Sequence, residues 1–289
     1  MEITACVPDT RKALTLPWQE TLVLPIGDVQ LGAQGVAYER LQRHIAWGLE
    51  QGAYFLGMGD YCDVMSPSNR AAWRSVKRYD SVTQAMAEKA HEHVAEFLYL
   101  VDGTQGRWLG MLEGHHYFDF EDGTTSDTRI CQALKAPFLG TCAAIILRFK
   151  PEHSTRTLRC VIWAHHGVGS GKKQAAPLNV LEDVVGWFEA DFYLMGHQTK
   201  KPSAPKPRLY VTDRPPYTVV AKKKYLVGTG GFYEGYLVGS KDPTNSRAQG
   251  GYVEQKLLTP VAMGGVVLKI RPVYGGGKNG DRLDLNVEN

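Results

Sequence analysis

Cysteine is scarce in this chain and never closely paired. Cys6, Cys62, Cys131, Cys142 and Cys160 form an odd set of five without a C-x-x-C pair. That excludes a disulfide framework and a thiolate zinc site, and it points to a reducing, cytoplasmic setting. Long apolar runs are missing as well: nowhere do about 18 apolar residues follow one another, so no membrane-spanning helix and no membrane partner are expected. The segment Met1 to Lys12 carries Glu2 and Asp9 and no apolar stretch, so it does not read as an export leader. No segment recurs at a period of about 20 to 50 residues, which removes solenoids and propellers. An excess of one charge is absent too, since 33 basic residues face 30 acidic ones. What is present is 43% apolar against 22% charged residues, enough for a large core and incompatible with disorder or a coiled coil. The 289 residues are expected to form a single domain over 1–289.

The near balance of charge hides one local departure. Residues 200–224 contain six Lys, two Arg and one Asp, a net of +7, which leaves −4 for the rest.

From Glu20 onward, short apolar runs ending in Gly and Asp alternate with stretches of helical period, the pattern of strand, loop and helix. Residues 22–26 read as a buried strand that delivers Gly27 and Asp28 at its carboxyl end. Ala37, Leu41, Ile45 and Leu49 fall four apart and share one helix face. Residues 53–58 form the next strand, ending at Gly59-Asp60. Val82, Met86, Ala90, Val94, Phe97 and Val101 make the apolar stripe of a longer helix closed by Asp102-Gly103. A third strand over 108–112 stops at Glu113-Gly114-His115-His116. A short helix is predicted over 126–135 with Ser126 as its N-cap. Strands over 143–149 and 158–164, a helix over 178–189 and a strand over 192–195 ending at Gly196-His197 follow. Beyond Lys200 helices stop: a Pro-rich basic loop to Pro216, strands at 224–227, 253–258 and 265–270, and a Gly-rich tail. The chain therefore reads as α/β, with a motif-bearing part over 20–200 and a mainly β part over 201–289 that completes the second sheet.

Five strand ends deposit groups of metal-ligand type: Asp28 and Gln30, Asp60 and Asp63, His115 and His116, His165 and His166, and His197. In an open α/β sheet the site lies beyond the carboxyl ends of the strands, so groups distant in sequence converge there. One such Asp alone is more often a turn former or helix cap, and a lone His-His pair more often faces solvent. Five strand ends in succession are not explained that way. In order, Asp28-Val29-Gln30, Gly59-Asp60-Tyr61-Cys62-Asp63, Gly114-His115-His116-Tyr117, His165-His166-Gly167 and Gly196-His197-Gln198-Thr199 resemble the motifs of the calcineurin-like metallophosphoesterases. That family reads D-x-H, G-D-x-x-D, G-N-H-[DE], a later His, and G-H-x-H. The resemblance spans residues 22–200. Gly250-Gly251-Tyr252, Pro260 and Gly264-Gly265 look like phage and prophage members of the group.

The resemblance implies a four-layer αββα sandwich of two mixed sheets flanked by helices, with a dinuclear metal site. Two divalent ions about 3.5–4 Å apart hold phosphoryl oxygens and activate a water for in-line attack on phosphorus. It implies Asp60 as the carboxylate that touches both ions. Asp28, position 30 and position 199 would complete the first, and position 115, one of His165 and His166, and His197 the second. His166 is preferred because it precedes Gly, as the family's histidine does. His116 would be the general acid, oriented by Asp63. Three positions depart from the pattern: Gln30 and Thr199 stand where the first ion's histidines are expected, and His115 stands in place of Asn. The expected result is asymmetry. Three imidazoles and Asp60 suit tightly held Zn, Mn or Fe, whereas an oxygen-only first set suits weakly held Mg or Mn. The implied activity is phosphoester hydrolysis, phosphodiester ahead of phosphomonoester, with nuclease action on nucleic acid as a subset. The other reading is a non-catalytic binding or scaffold protein with a vestigial single-metal site.

The basic segment begins directly after the last motif and reads either as a solvated loop or as a positive rim that binds a polyanionic substrate through Lys200 and Lys201. Residues 61–80 and 200–224 are the expected cover over the metals. No strip of alternating aromatic and basic residues suggests base stacking. Residues 167–172 lack the spacing and ending of a phosphate loop and read as a flexible turn. Gly228-Thr229-Gly230-Gly231 is followed by no helix and fails as a dinucleotide fingerprint, and no G-x-S-x-G is present. His91 and His93, two apart on a helix, read as surface residues.

Overall fold

The computed structural model describes residues 14–153, 155–169, 171–212, 215–241, 246–248, 250, 252–260, 263–275 and 280–289. The segment Met1 to Lys12 with Cys6, Ser170 and Gly251 lie outside the described residues. In chain order the elements are β1 (Leu14–Pro17), β2 (Thr21–Ile26), α1 (Tyr38–Glu50), β3 (Tyr54–Gly57), α2 (Pro67–Ser75), α3 (Asp80–Leu100), β4 (Trp108–Met111), α4 (Ser126–Leu134), β5 (Cys142–Lys150), β6 (Leu158–His165), α5 (Ala176–Trp187), β7 (Phe192–Met195), β8 (Ser203–Val211), β9 (Val219–Gly228), α6 (Tyr252–Gln255), β10 (Val267–Val273) and β11 (Arg282–Glu288).

Strands that are apolar on both faces belong inside a covered sheet. β2, β3 and β4 are of this kind and pair in parallel, and the antiparallel β10 and β11 extend the sheet to the order β11-β10-β2-β3-β4. The second sheet runs β1-β5-β6-β7-β9-β8, with β6, β7 and β9 parallel and the pairs β5–β6 and β8–β9 antiparallel. Val23, Leu56 and Leu268 of the first sheet share one core with Leu147, Ile162, Phe192 and Leu194 of the second. Leu41, Ile45, Phe97, Ile130 and Leu134 of α1, α3 and α4 cover the other face of the first sheet, and Leu181 and Val184 of α5 cover that of the second. Burial of each such side chain contributes about 1.5–3 kcal/mol. The layers are therefore helix, sheet, sheet, helix: an αββα sandwich of two mixed sheets. No helix among the described residues is long and apolar enough to cross a membrane.

Several elements differ from expectation for identifiable reasons. The N-cap of α4 is Thr125, not Ser126: Thr125 Oγ1 accepts from Thr128 N–H at 3.1 Å, and Thr128 Oγ1 accepts from Thr125 N–H at 2.8 Å, a reciprocal capping box. On α1 the third buried position is Gly48, where a Cβ would lie 2.7 Å from Leu24 Cδ2, so the missing side chain lets the helix sit close on β2. The Pro-rich basic segment is not a loop but β8, at the edge of its sheet. Pro205 and Pro207 lack N–H donors, which an edge strand tolerates and a central strand does not. Residues 253–258 are not a strand; α6 is a single helical turn there. The C-terminal third supplies strands to both sheets, since β8 and β9 join one and β10 and β11 the other. His93 is buried rather than on the surface, with its ring against Gly32.

Candidate metal centre

The carboxyl ends of β2, β3, β4, β6 and β7 carry the five motif segments, and backbone hydrogen bonds knit the first two loops together. Asp28 N–H donates to Gly59 O, and the N–H groups of Val29 and Gln30 donate to Asp60 O, at 3.0–3.1 Å. Asp28, Gln30, Asp60, His197 and Thr199 all hold left-handed backbone, with φ between 48° and 63°. Each such residue costs about 1–2 kcal/mol relative to right-handed backbone, so strain is concentrated where ligand-type side chains gather. Gly114 is required for the close approach of the third loop: a Cβ there would meet Asp60 N at 2.0 Å.

This backbone brings together two sets of ligand atoms. Those of His115, His166 and His197 lie within 4.8 Å of one another, and so do those of Asp28, Asp60 and His166. His166 belongs to both. Its Nδ1 sits 2.7 Å from Met58 O and must donate to it, which leaves Nε2 as the nitrogen that can bind a cation once the cation displaces its proton. That Nε2 stands 3.3 Å from Asp60 Oδ2 without the direction of a hydrogen bond, and the buried Asp28 Oδ1 has no partner at all. His115 Nδ1 and His197 Nδ1 approach to 3.2 Å. Buried donor atoms that face each other without satisfying each other fit a divalent ion between them.

His165 is turned away from this cluster. Its ring stacks on Trp163 and its Nδ1 accepts from Gly167 N–H at 2.8 Å. On the oxygen side the extra donors are also turned away: Gln30 Nε2 points to Asp60 Oδ2 at 3.2 Å, and Thr199 Oγ1 donates to Gln198 O at 2.8 Å. Asp60 Oδ1 accepts from the backbone N–H of both His115 and His116, the latter at 3.0 Å. Asp63 Oδ1 lies 2.6 Å from His116 Nδ1.

Electrostatics follow from burial and proximity. Burial pushes Asp28 up to about 7 against the pull of His166. Burial also acts to raise Asp60, but the His166 and His116 imidazoles and the His115 N–H outweigh it and hold this carboxylate below its usual range. Burial works to lower His166, yet Asp60 and Asp28 raise it to about 9. Burial, then His166 and His115, bring His197 down to about 4, and burial and His166 lower His115. Both are thus neutral at pH 7, as ligands must be. At His116 burial is overcome by Asp63 and Asp60, and the imidazole is raised.

The cluster forms part of the wall of a cavity of about 930 Å³, which exposes Gln30, Asp60, Asp63, His116, His197, Thr199 and Lys200. Val64, Ser66, Ser68 and Asn69 of the expected cover also line it. Among the described residues of 200–224, however, Lys200 alone does so, and residues 233–236, Lys256 and 258–260 line the cavity as well. The other described cations of the basic segment lie outside this lining. Lys206 pairs with Glu182, and Arg208 and Lys224 with Glu189, because β8 and β9 run beside α5. Lys201 lines a different cavity.

Two supporting residues escape a reading of the sequence. Asp127, fully buried at the start of α4, accepts from Gly114 N–H at 2.9 Å, and burial pushes it up to about 7. Arg70 of α2 sends Nη1 to the carbonyls of Met65, His115 and Tyr117 at 2.7–3.0 Å and stacks on the Tyr117 ring at 3.7 Å. Both fix the His115-His116 loop. The only sequence signal for Asp127 is its place beside a capping residue; none exists for Arg70.

No family model and no curated protein matches the sequence. Among solved structures the chain is similar to vacuolar protein sorting 29 from Cryptosporidium parvum, a protein of the calcineurin-like metallophosphoesterase fold. The two are 12% identical, the match covers 93% of this chain and 98% of that chain, and the TM-score is 0.36. The comparison gives no support to a phage origin.

Proposed function

We propose that the chain is a metal-dependent phosphoester hydrolase, acting on phosphodiesters, with nucleotides or nucleic acid as the substrate class. The observation that carries this reading is the meeting, at one cavity, of three imidazoles and two buried carboxylates with a separate His116–Asp63 pair. A site that only held an ion would have no need of that pair. When bound, the divalent ions neutralise phosphoryl charge and supply a nucleophile at neutral pH. His115, His166, His197 and Asp60 hold the tighter ion. Asp28 and Asp60 hold the weaker, with the Gln30 amide oxygen and the Thr199 hydroxyl once these turn inward. Asp63 fixes the His116 ring through Nδ1–H and keeps it protonated, so that it can give a proton to the departing oxygen. Lys200, whose Nζ donates to Gly171 O at 2.8 Å, sets positive charge on the wall where a polyanionic substrate enters.

The orientation of the groups at 30 and 199 favours a second reading, a binding protein with one ion, because neither presents an oxygen to the cluster as it stands. Elemental analysis of the purified chain, with and without added manganese, combined with turnover of bis(p-nitrophenyl) phosphate, separates the two. Two ions and manganese-dependent turnover are expected. One ion under every condition and no turnover would give the second reading precedence.

A further inference from the structure

Helix α1 carries Arg40, Arg43, His44 and Trp47 at i, i+3, i+4 and i+7, so the four share a face. They look across a cavity of about 440 Å³ to Lys201 and the backbone of 263–265. Arg40 Nη1 and Lys201 Nζ both donate to one neutral acceptor, Met263 O, at 3.4 and 3.2 Å. Among the described residues no carboxylate pairs with Arg40, Arg43 or Lys201. Glu288, the acidic side chain in the cavity wall, is held by Lys269 at 2.5 Å. His44 Nε2 is buried against Gly265 with no partner. Burial, then Lys201, brings His44 down to about 4, so it is neutral at pH 7 and adds no fourth charge.

Three cations gathered in one wall, none of them paired with a carboxylate among the described residues, repel one another and favour an anion. The aromatic wall narrows its chemistry, because Trp47 is 37% exposed at the cavity, where a planar ring can stack on it. We infer that this cavity binds a nucleotide, its phosphate among Arg40, Arg43 and Lys201 and its base against Trp47. The source is either a free nucleotide or one unit of a strand. Met263 lines both this cavity and the metal cavity, so a strand held here lies next to the proposed hydrolytic site. Binding here does not depend on hydrolysis there.

Calorimetric titration of the full chain, with a chelator present to silence the metal cavity, tests this. The probes are inorganic phosphate, adenosine 5′-monophosphate and a short oligodeoxyadenylate, each against the wild type, Arg40→Ala/Arg43→Ala and Trp47→Ala. Arg40, Arg43 and Trp47 are exposed, and thermal melts verify that the variants fold. Adenosine monophosphate is expected to bind and to lose about ten-fold or more in affinity in the double variant. Trp47→Ala should cost about ten-fold for the nucleotide and nothing for phosphate. Tighter oligonucleotide binding, with a salt slope that falls by about 1.4 in the double variant, assigns the ligand to a strand; equal affinity assigns it to a free nucleotide. No saturable binding, or binding that both variants leave unchanged, overturns the inference, as does phosphate binding as tight as that of the nucleotide. The double variant should keep wild-type turnover of the small diester, so this failure is distinct from failure of the hydrolase reading.

Discussion

The two halves of the candidate metal centre share His166, and in the proposed reading Asp60, but are otherwise built from different chemistry. On the side of β4, β6 and β7, His115, His166 and His197 converge with no side-chain help beyond Asp60. On the side of β2, Asp28 stands with an amide and a hydroxyl that face away from it. The backbone does not distinguish the halves, since left-handed residues occur on both. Their inequality therefore lies in the donor atoms and not in the scaffold, and substitutions that leave the loops intact should be able to reverse it.

The largest effect is expected from removing what the halves share. Asp60→Asn should strip metal from both, read as the loss of every bound ion on elemental analysis and of turnover with it. His116→Ala separates chemistry from binding: turnover should fall about 100- to 10,000-fold while metal content stays at the wild-type level. A variant that lost metal as well would place His116 among the ligands instead. Arg70→Leu should weaken the imidazole half alone, by about 10–100-fold in affinity for its ion, because Arg70 grips the His115 carbonyl and touches nothing near Asp28. Gln30→His combined with Thr199→His should equalise the halves, tightening the weaker ion about ten-fold or more; competition with a metal indicator dye reads this directly.

The smallest effect is a proton count. In the metal-free chain His166 is raised to about 9 and is protonated at pH 7, and Asp28, raised to about 7, is about half protonated. The raised histidine contributes stability that is fully present below its unfolded value of about 6.5 and is lost as pH rises through 9. The raised carboxylate likewise favours the folded state less as pH climbs from its unfolded value toward 7. Both make the metal-free chain less stable as pH rises. A bound ion replaces these protons, so its binding at pH 7 should release between one and two of them, and almost none above about pH 9.5. Calorimetry in two buffers of different ionisation enthalpy measures the number.

Four of the five strand ends that carry ligand-type groups were legible because a buried strand, a glycine and an acidic or imidazole residue follow one another in sequence order, and the fifth because β6 runs directly into His165-His166-Gly167. The supports of the site were not, because Arg70 and Asp127 act on backbone groups of another loop, and a sequence does not show which carbonyl a side chain will meet. β8 was obscured by Pro205 and Pro207, whose exclusion from central strands says nothing about edges. β11 was readable, since Leu283, Leu285 and Val287 alternate with polar residues, but the glycines before it suggested a tail. His93 shows the limit of spacing arguments: two residues from the exposed His91, it packs inward because α3 turns that face toward Gly32.

The left-handed backbone at Asp28, Gln30, Asp60, His197 and Thr199 has a consequence for how this sequence can drift. At each of these places glycine would relieve strain and, by that measure, yield a sturdier fold. Selection for durability alone therefore runs directly against the metal centre, and its quickest improvements would erase donor atoms. A lineage released from the need to bind metal should shed these five residues before it alters its core.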